Sequence, residues 1–183
     1  EKEIGALRAI YYNVYGYGKL DGIPDRIKTQ SEMIFSLNPD IICLQEFDRR
    51  HREQAGLFSS RGYVEVPVDG KNVLYNCEKN CEAMFYLPQS LTLCASGGEL
   101  FKEKVNVRGI TVEGNNGKTK SFTWAHFKDK NGAEFLAVNA HLMWNSPALT
   151  LRQATSVRED NLRHIFAFLS RFDGMPVLFG GDL

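Results

Sequence analysis

The chain has 183 residues, with 22 Lys+Arg against 22 Asp+Glu, so its formal net charge is zero. Hydrophobic residues make up 43% and aromatic residues 11%, enough for a packed core and unlike a disordered chain, which combines low hydrophobicity with high net charge. Zero net charge excludes a whole-surface electrostatic grip on nucleic acid or anionic membrane, and no apolar run approaches the roughly 20 residues of a membrane span.

The length fits one domain over residues 1–183, and short apolar runs alternating with helix-like segments predict an α/β fold. Leu7 to Asn13 reads as a strand, with Leu7, Ala9 and Tyr11 on one face and Arg8, Ile10 and Tyr12 on the other. A loop with Gly16, Gly18 and Gly22 follows. Pro24 and Asp25 then introduce a helix whose Ile27, Gln30, Ile34 and Leu37 share one side. Asn38-Pro39-Asp40 breaks it, because the residue before a proline is pushed out of the helical region.

Ile41-Ile42-Cys43-Leu44 is a central strand expected to be buried on both faces, and polarity returns at Gln45-Glu46. A mixed stretch from Asp48 to Gln54 carries Arg49, Arg50, His51 and Arg52. Glu82 to Leu87 reads as another strand, and Ser121–Lys128 and Ala133–Leu142 flank the hairpin signal Asn131-Gly132. Pro147 to Ser170 is a helix, with Leu151, Ala154, Leu162, Ile165, Phe166 and Leu169 at helical spacing. After Gly174-Met175-Pro176, Val177-Leu178-Phe179 enters a last strand expected to be buried, which runs into Gly180-Gly181-Asp182.

Cys43, Cys77, Cys81 and Cys94 are too sparse for a disulfide scaffold. Cys77 and Cys81 lack the nearby His or second Cys pair of a zinc site; they are either unpaired thiols or, in an exported protein, a disulfide. The chain opens at Glu1 with neither an initiator Met nor a charged-then-apolar leader, which fits a processed, exported form or a piece of a longer protein.

Asn13, Glu46, His141 and Asp182 each stand where an apolar strand gives way to polarity, all at the same strand end. Each alone has a structural use: a turn cap, a solvated strand end, a buried imidazole, a turn former. In step they mark a site, because strand ends hold side chains rigidly while the adjoining loops admit ligand.

Four segments resemble the endonuclease/exonuclease/phosphatase superfamily. Leu7-Arg8-Ala9-Ile10-Tyr11-Tyr12-Asn13 is similar to its first strand, and Pro39-Asp40-Ile41-Ile42-Cys43-Leu44-Gln45-Glu46 to its P-D-I-x-x-L-Q-E strand. Asn139-Ala140-His141-Leu142 resembles N-T-H-L with Ala140 in place of Thr, and Pro176 to Leu183 resembles P-V-I-x-x-G-D-x-N, ending one residue early. The resemblance implies a layered α/β sandwich of two mixed sheets flanked by helices. It also implies that the motif's Asn, a later Asp ligand and a late Ser-Asp-His motif lie beyond Leu183, so the C-terminal part of the domain is expected to be missing.

The chemistry agrees. A phosphodiester is an anion that repels hydroxide, and a hard divalent cation, Mg2+ or else Mn2+, neutralises its oxygens. Glu46 is the expected metal ligand. Asn13 completes the metal shell or holds the phosphate. His141 donates a hydrogen bond or a charge to a phosphate oxygen as negative charge develops, and Asp182 orients or deprotonates the attacking water.

These residues predict a metal-dependent phosphoesterase acting on a nucleotide or RNA phosphodiester. The alternatives are hydrolysis of a small phosphorylated molecule such as an inositol phosphate or lipid headgroup, and a catalytically incompetent binding module. Arg49, Arg50 and Arg52 form the one concentrated basic patch, either a hold on flanking phosphates or a solvated loop. Trp144 either stacks on a base or packs in the core. Gln45-Glu46-Phe47-Asp48, Arg61-Gly62-Tyr63, Ala83-Met84-Phe85-Tyr86 and His141-Leu142-Met143-Trp144 with Arg152-Gln153 resemble the nocturnin and deadenylase-like branch. Phe122-Thr123-Trp124-Ala125 with Lys128-Asp129-Lys130 is similar to bacterial hydrolases of the superfamily. No membrane-seeking apolar hairpin of a sphingomyelinase stands out, and the residues point to no protein partner.

Overall fold

The structure is a computed structural model and describes residues 6–15, 26–47, 52–68, 81–114 and 120–183. The expectations for Gly16, Gly18, Gly22, Pro24, Asp25, Arg49, Arg50 and Cys77, and for the side chains of Arg52 and Cys81, lie outside the described residues.

The elements in chain order are β1 (Ala9–Asn13), α1 (Arg26–Ser36), β2 (Ile41–Phe47), α2 (Arg52–Ser60), β3 (Val64–Glu65), β4 (Cys81–Tyr86), β5 (Leu91–Leu100), β6 (Lys104–Val107), β7 (Ile110–Glu113), β8 (Ser121–Asp129), β9 (Glu134–His141), α3 (Leu151–Leu169) and β10 (Val177–Asp182). One sheet has the order β1-β2-β4-β3 and the other β10-β9-β8-β5, with β6 and β7 as a separate ribbon. Strand β1 runs parallel to β2, and β10 parallel to β9, while the remaining pairs of both sheets are antiparallel. Both sheets are therefore mixed, as expected. A helix joins each parallel pair, the connection parallel neighbours require.

Period-two alternation along β2 feeds two apolar layers at once. Ile42 and Leu44 pack with Ile34 of α1, Phe58 of α2, Tyr63 and Phe85. Ile41 and Cys43 face the other way, joining Met84 of their own sheet to Ala125, Phe127 and Ala137 of the second. Behind the second sheet, α3 packs Ile165 and Phe168 on Phe122, Val138 and Ala140. The result is a helix–sheet–sheet–helix sandwich. Among the described residues no helix is long and apolar enough to cross a membrane.

Two expectations are corrected. Helix α3 starts at Leu151, where Thr150 caps it and Gln153 returns a bond to the cap, a capping box. Its buried face is Ala154, Val157, Asn161, Ile165 and Phe168, so Leu151 and Phe166 are exposed. They share helical spacing with the core positions but sit at the margin of the stripe.

Strand β10 is not buried: Val177 and Leu178 are exposed, because β10 is the edge of its sheet among the described strands. The Asn131-Gly132 turn does join β8 to β9, but only Gly132 has positive φ, +86°, so it is not the mirror-image turn favoured by that dipeptide. Asp129 instead organises it, its side chain accepting from the Asn131 and Ala133 amides, and Gly132 takes the left-handed position of a longer hairpin loop.

Tyr63 donates its hydroxyl to the Pro39 carbonyl at 2.7 Å, and burial with nearby Asp40 pushes its pKa from 10 up to about 12. Between those values the unfolded chain releases this proton and the folded chain keeps it. The Tyr63 contribution to stability is therefore expected to be whole below pH 10 and to disappear as pH rises through 12. Denaturant melts at pH 9 and 11 check this: Tyr63→Phe should narrow the difference between them.

Candidate functional site

The two parallel pairs end side by side. Asn13 closes β1 opposite Gln45 of β2, and Asp182 closes β10 opposite His141 of β9. Glu46, His141 and Asp182 each offer a ligand atom, all within 4.8 Å of one another. Glu46 Oε1 lies 4.0 Å and Asp182 Oδ2 3.5 Å from His141 Nε2. Asn13 bridges the sheets by donating Nδ2 to Asp182 Oδ2 at 2.8 Å, and its Oδ1 accepts from the Tyr15 amide. Both ends of that carboxamide are engaged, so in this arrangement Asn13 positions Asp182.

Glu46 reaches the cluster through a break in its strand. The pairing of β2 with β4 shifts between Leu44 and Phe47, a β-bulge, and Glu46 has φ +56°. Strict alternation would put Glu46 on the Ile42–Leu44 face, yet Phe47 fills that layer. The bulge thus seats Phe47 in the core and re-aims Glu46, at a backbone cost of about 1–3 kcal/mol.

Two buried amides brace it. Gln45 Nε2 donates to Asn139 Oδ1 at 2.6 Å, and Asn139 Nδ2 donates to the carbonyls of Leu44 and Ala83 at 3.0 and 3.1 Å. Asn139 therefore pins the second sheet to two strands of the first, beside the bulge. Sequence reading passed over both residues, although each lies within two positions of a chosen one on a strand that was recognised.

Glu82 and Lys120 were also missed. Glu82, buried at the start of β4, accepts a hydrogen bond from Ser121 through Oε2, and its Oε1 stands 3.4 Å from His141 Nδ1. Lys120 Nζ bonds His141 Nε2. An ammonium only donates, so Nε2 accepts, and the network assigns the ring proton to Nδ1, facing Glu82. In this state His141 accepts at Nε2. Burial pulls the Lys120 pKa from 10.5 down to about 8, against the upward pull of Glu82, Glu46 and Asp182.

The residues fit a divalent cation. Glu46 Oε2 is buried without a hydrogen-bond partner, an arrangement that is costly unless a cation or other partner meets it. Carboxylate oxygens suit Mg2+ or Mn2+. Trp144, just past β9, is 49% exposed. Its loop is anchored by Arg158, which donates to Met143 O at 3.2 Å and Asn145 Oδ1 at 2.9 Å.

No protein-family model matches the chain, and comparison with curated proteins finds no match. Solved structures do match. The human nocturnin catalytic domain with bound sulfate superposes with a TM-score of 0.67 at 20% identity, over 96% of this chain and 63% of that one. An endonuclease/exonuclease/phosphatase family protein of Bacteroides thetaiotaomicron gives 0.71 at 19% identity, over 96% and 62%. The fold is that of the endonuclease/exonuclease/phosphatase proteins. A mannosyl-6-phosphatase of Bacteroides thetaiotaomicron gives 0.68 at 21% identity, over 97% and 65%. The chain thus spans about two thirds of the length of endonuclease/exonuclease/phosphatase chains it resembles.

Proposed function

We propose that residues 1–183 belong to one domain of a divalent-metal-dependent phosphoesterase of the endonuclease/exonuclease/phosphatase family. The observation that carries this reading is the meeting of Glu46, His141 and Asp182 at the ends of two parallel strand pairs, in a fold shared with a phosphatase and with a nocturnin domain that binds sulfate.

A bound Mg2+ or Mn2+ would supply positive charge to the phosphoryl oxygens and acidify water. Glu46 and Asp182 would hold it, with Asn13 fixing the Asp182 carboxylate. Asp182 is the most exposed of the group, with its side chain 49% accessible, and would orient an incoming water. His141, its Nδ1 facing Glu82, would accept a proton at Nε2.

The substrate is proposed to be a nucleotide or RNA phosphodiester. Support comes from the exposed Trp144 indole on an anchored loop, where a base can stack. A small phosphorylated molecule is the second reading, favoured by the likeness to the mannosyl-6-phosphatase.

Hydrolysis of an aryl phosphodiester, an aryl phosphomonoester and a dinucleotide with Mg2+ or Mn2+ tests both readings. Glu46→Gln is expected to lower turnover by about a hundredfold or more. Trp144→Ala should raise KM for the dinucleotide while leaving the aryl diester unchanged. Preference for the monoester with no effect of Trp144→Ala would favour the small-molecule reading, and full activity in Glu46→Gln would remove the assigned site.

A further inference from the structure

Lys120 is the sole lysine or arginine among the buried described residues, 4% exposed. It immediately precedes β8 and bonds the same His141 nitrogen that faces Glu46 and Asp182. Burying an ammonium forfeits its hydration, so its place in this cluster calls for a use.

The cluster grades in depth. The Asp182 side chain is 49% accessible and that of Glu46 16%, while His141 and Glu82 are 3%. A ligand therefore enters past Asp182 and Glu46 and meets His141 and Lys120 at the floor. Formal charge gives the floor its meaning. Glu46, Glu82 and Asp182 with the Lys120 ammonium carry two net negative charges around a neutral imidazole, the amount one divalent cation neutralises. Without Lys120 the metal-loaded site would stay negative and repel an anion.

We infer that Lys120 is a further catalytic residue, a fixed cation whose Nζ–H groups bind a non-bridging oxygen of a tetrahedral phosphate seated against the metal. The identity of the anion rests on the phosphoesterase reading; the location of the cation does not. As water attacks phosphorus and the ester P–O bond breaks, charge grows on these oxygens, and an ammonium already desolvated beside them stabilises it more than one in water. Compact ammonium donors suit this contact, and a guanidinium can take it over with altered geometry.

The test is calorimetric binding of inorganic phosphate, with and without saturating Mn2+, to the wild-type chain, Lys120→Met, Lys120→Arg and Glu46→Gln. Lys120→Met is expected to lose about tenfold or more in phosphate affinity without weakening Mn2+ binding, and Lys120→Arg to recover most of the loss. A nitrogen-15 signal of the wild-type Lys120 ammonium should shift on adding phosphate, which needs no variant to fold.

Unchanged phosphate affinity in Lys120→Met, or an ammonium signal indifferent to phosphate, overturns the inference. If instead Glu46→Gln binds Mn2+ like wild type while phosphate still depends on Lys120, the metal reading falls and the anion site stands.

Discussion

Asn139→Asp is expected to destabilise the fold by about 3 kcal/mol or more, a large fraction of the ordinary stability of a domain. Asn139 is fully buried, and its Nδ2 donates to the Leu44 and Ala83 carbonyls. A carboxylate there would turn two donated bonds into oxygen–oxygen repulsions and add an unpaired buried charge. The Leu44 carbonyl adjoins the bulge that aims Glu46, so surviving protein should also bind divalent cations more weakly. Urea melts of Asn139→Asp beside Asn139→Leu separate the terms. Leu loses the bonds without the charge and should fall between wild type and Asp.

Gly181→Ala has a second large expected effect, for a different reason. Gly181 has φ +143°, a region that side chains disfavour. A Cβ built there would lie 1.9 Å from the Ala140 carbonyl oxygen, which is backbone of the neighbouring strand and cannot yield without breaking pairing. Strain and overlap together are expected to cost about 2–4 kcal/mol. Because β10 is the edge of its sheet among the described strands, the loss should fall on its end, displacing Asp182 from Asn13 and His141. Amide exchange should show β10 amides losing protection in Gly181→Ala while β2 and β4 keep theirs; equal loss everywhere would point to global destabilisation instead.

The main lines of fold and site were legible for one physical reason. Strands β2 and β9 are held inside the sandwich and β1 is half-buried against β2, so their apolar runs and the polar residues ending them stand out in the sequence. That made Asn13, Glu46, His141 and Asp182 readable together. Strand β10 was readable in position but not in burial, since exposure depends on which strand lies beside it. Strand β5 left no mark because Ser96, Gly97 and Gly98 weaken the strand pattern, although the Trp124 ring lies where a Gly97 side chain would go, 3.0 Å from a Cβ built there.

Glu82 and Lys120 escaped for a related reason. A charge just before or at the start of a strand looks like a solvated end, and only the meeting of two sheets buries it. Nor does sequence spacing reveal a bulge, so the left-handed backbone of Glu46 and the bracing by Gln45 and Asn139 emerge only with the register between β2 and β4 in view.

Glu46 and Asp182, meeting beside His141, are proposed to hold one divalent cation. The most direct test is Mn2+ binding followed by electron paramagnetic resonance in the wild-type chain, Glu46→Gln and Asp182→Asn, each first shown to be folded by its thermal melt. A saturable Mn2+ signal is expected, its affinity falling about tenfold or more in either variant. Mn2+ affinity unchanged by both substitutions would contradict it.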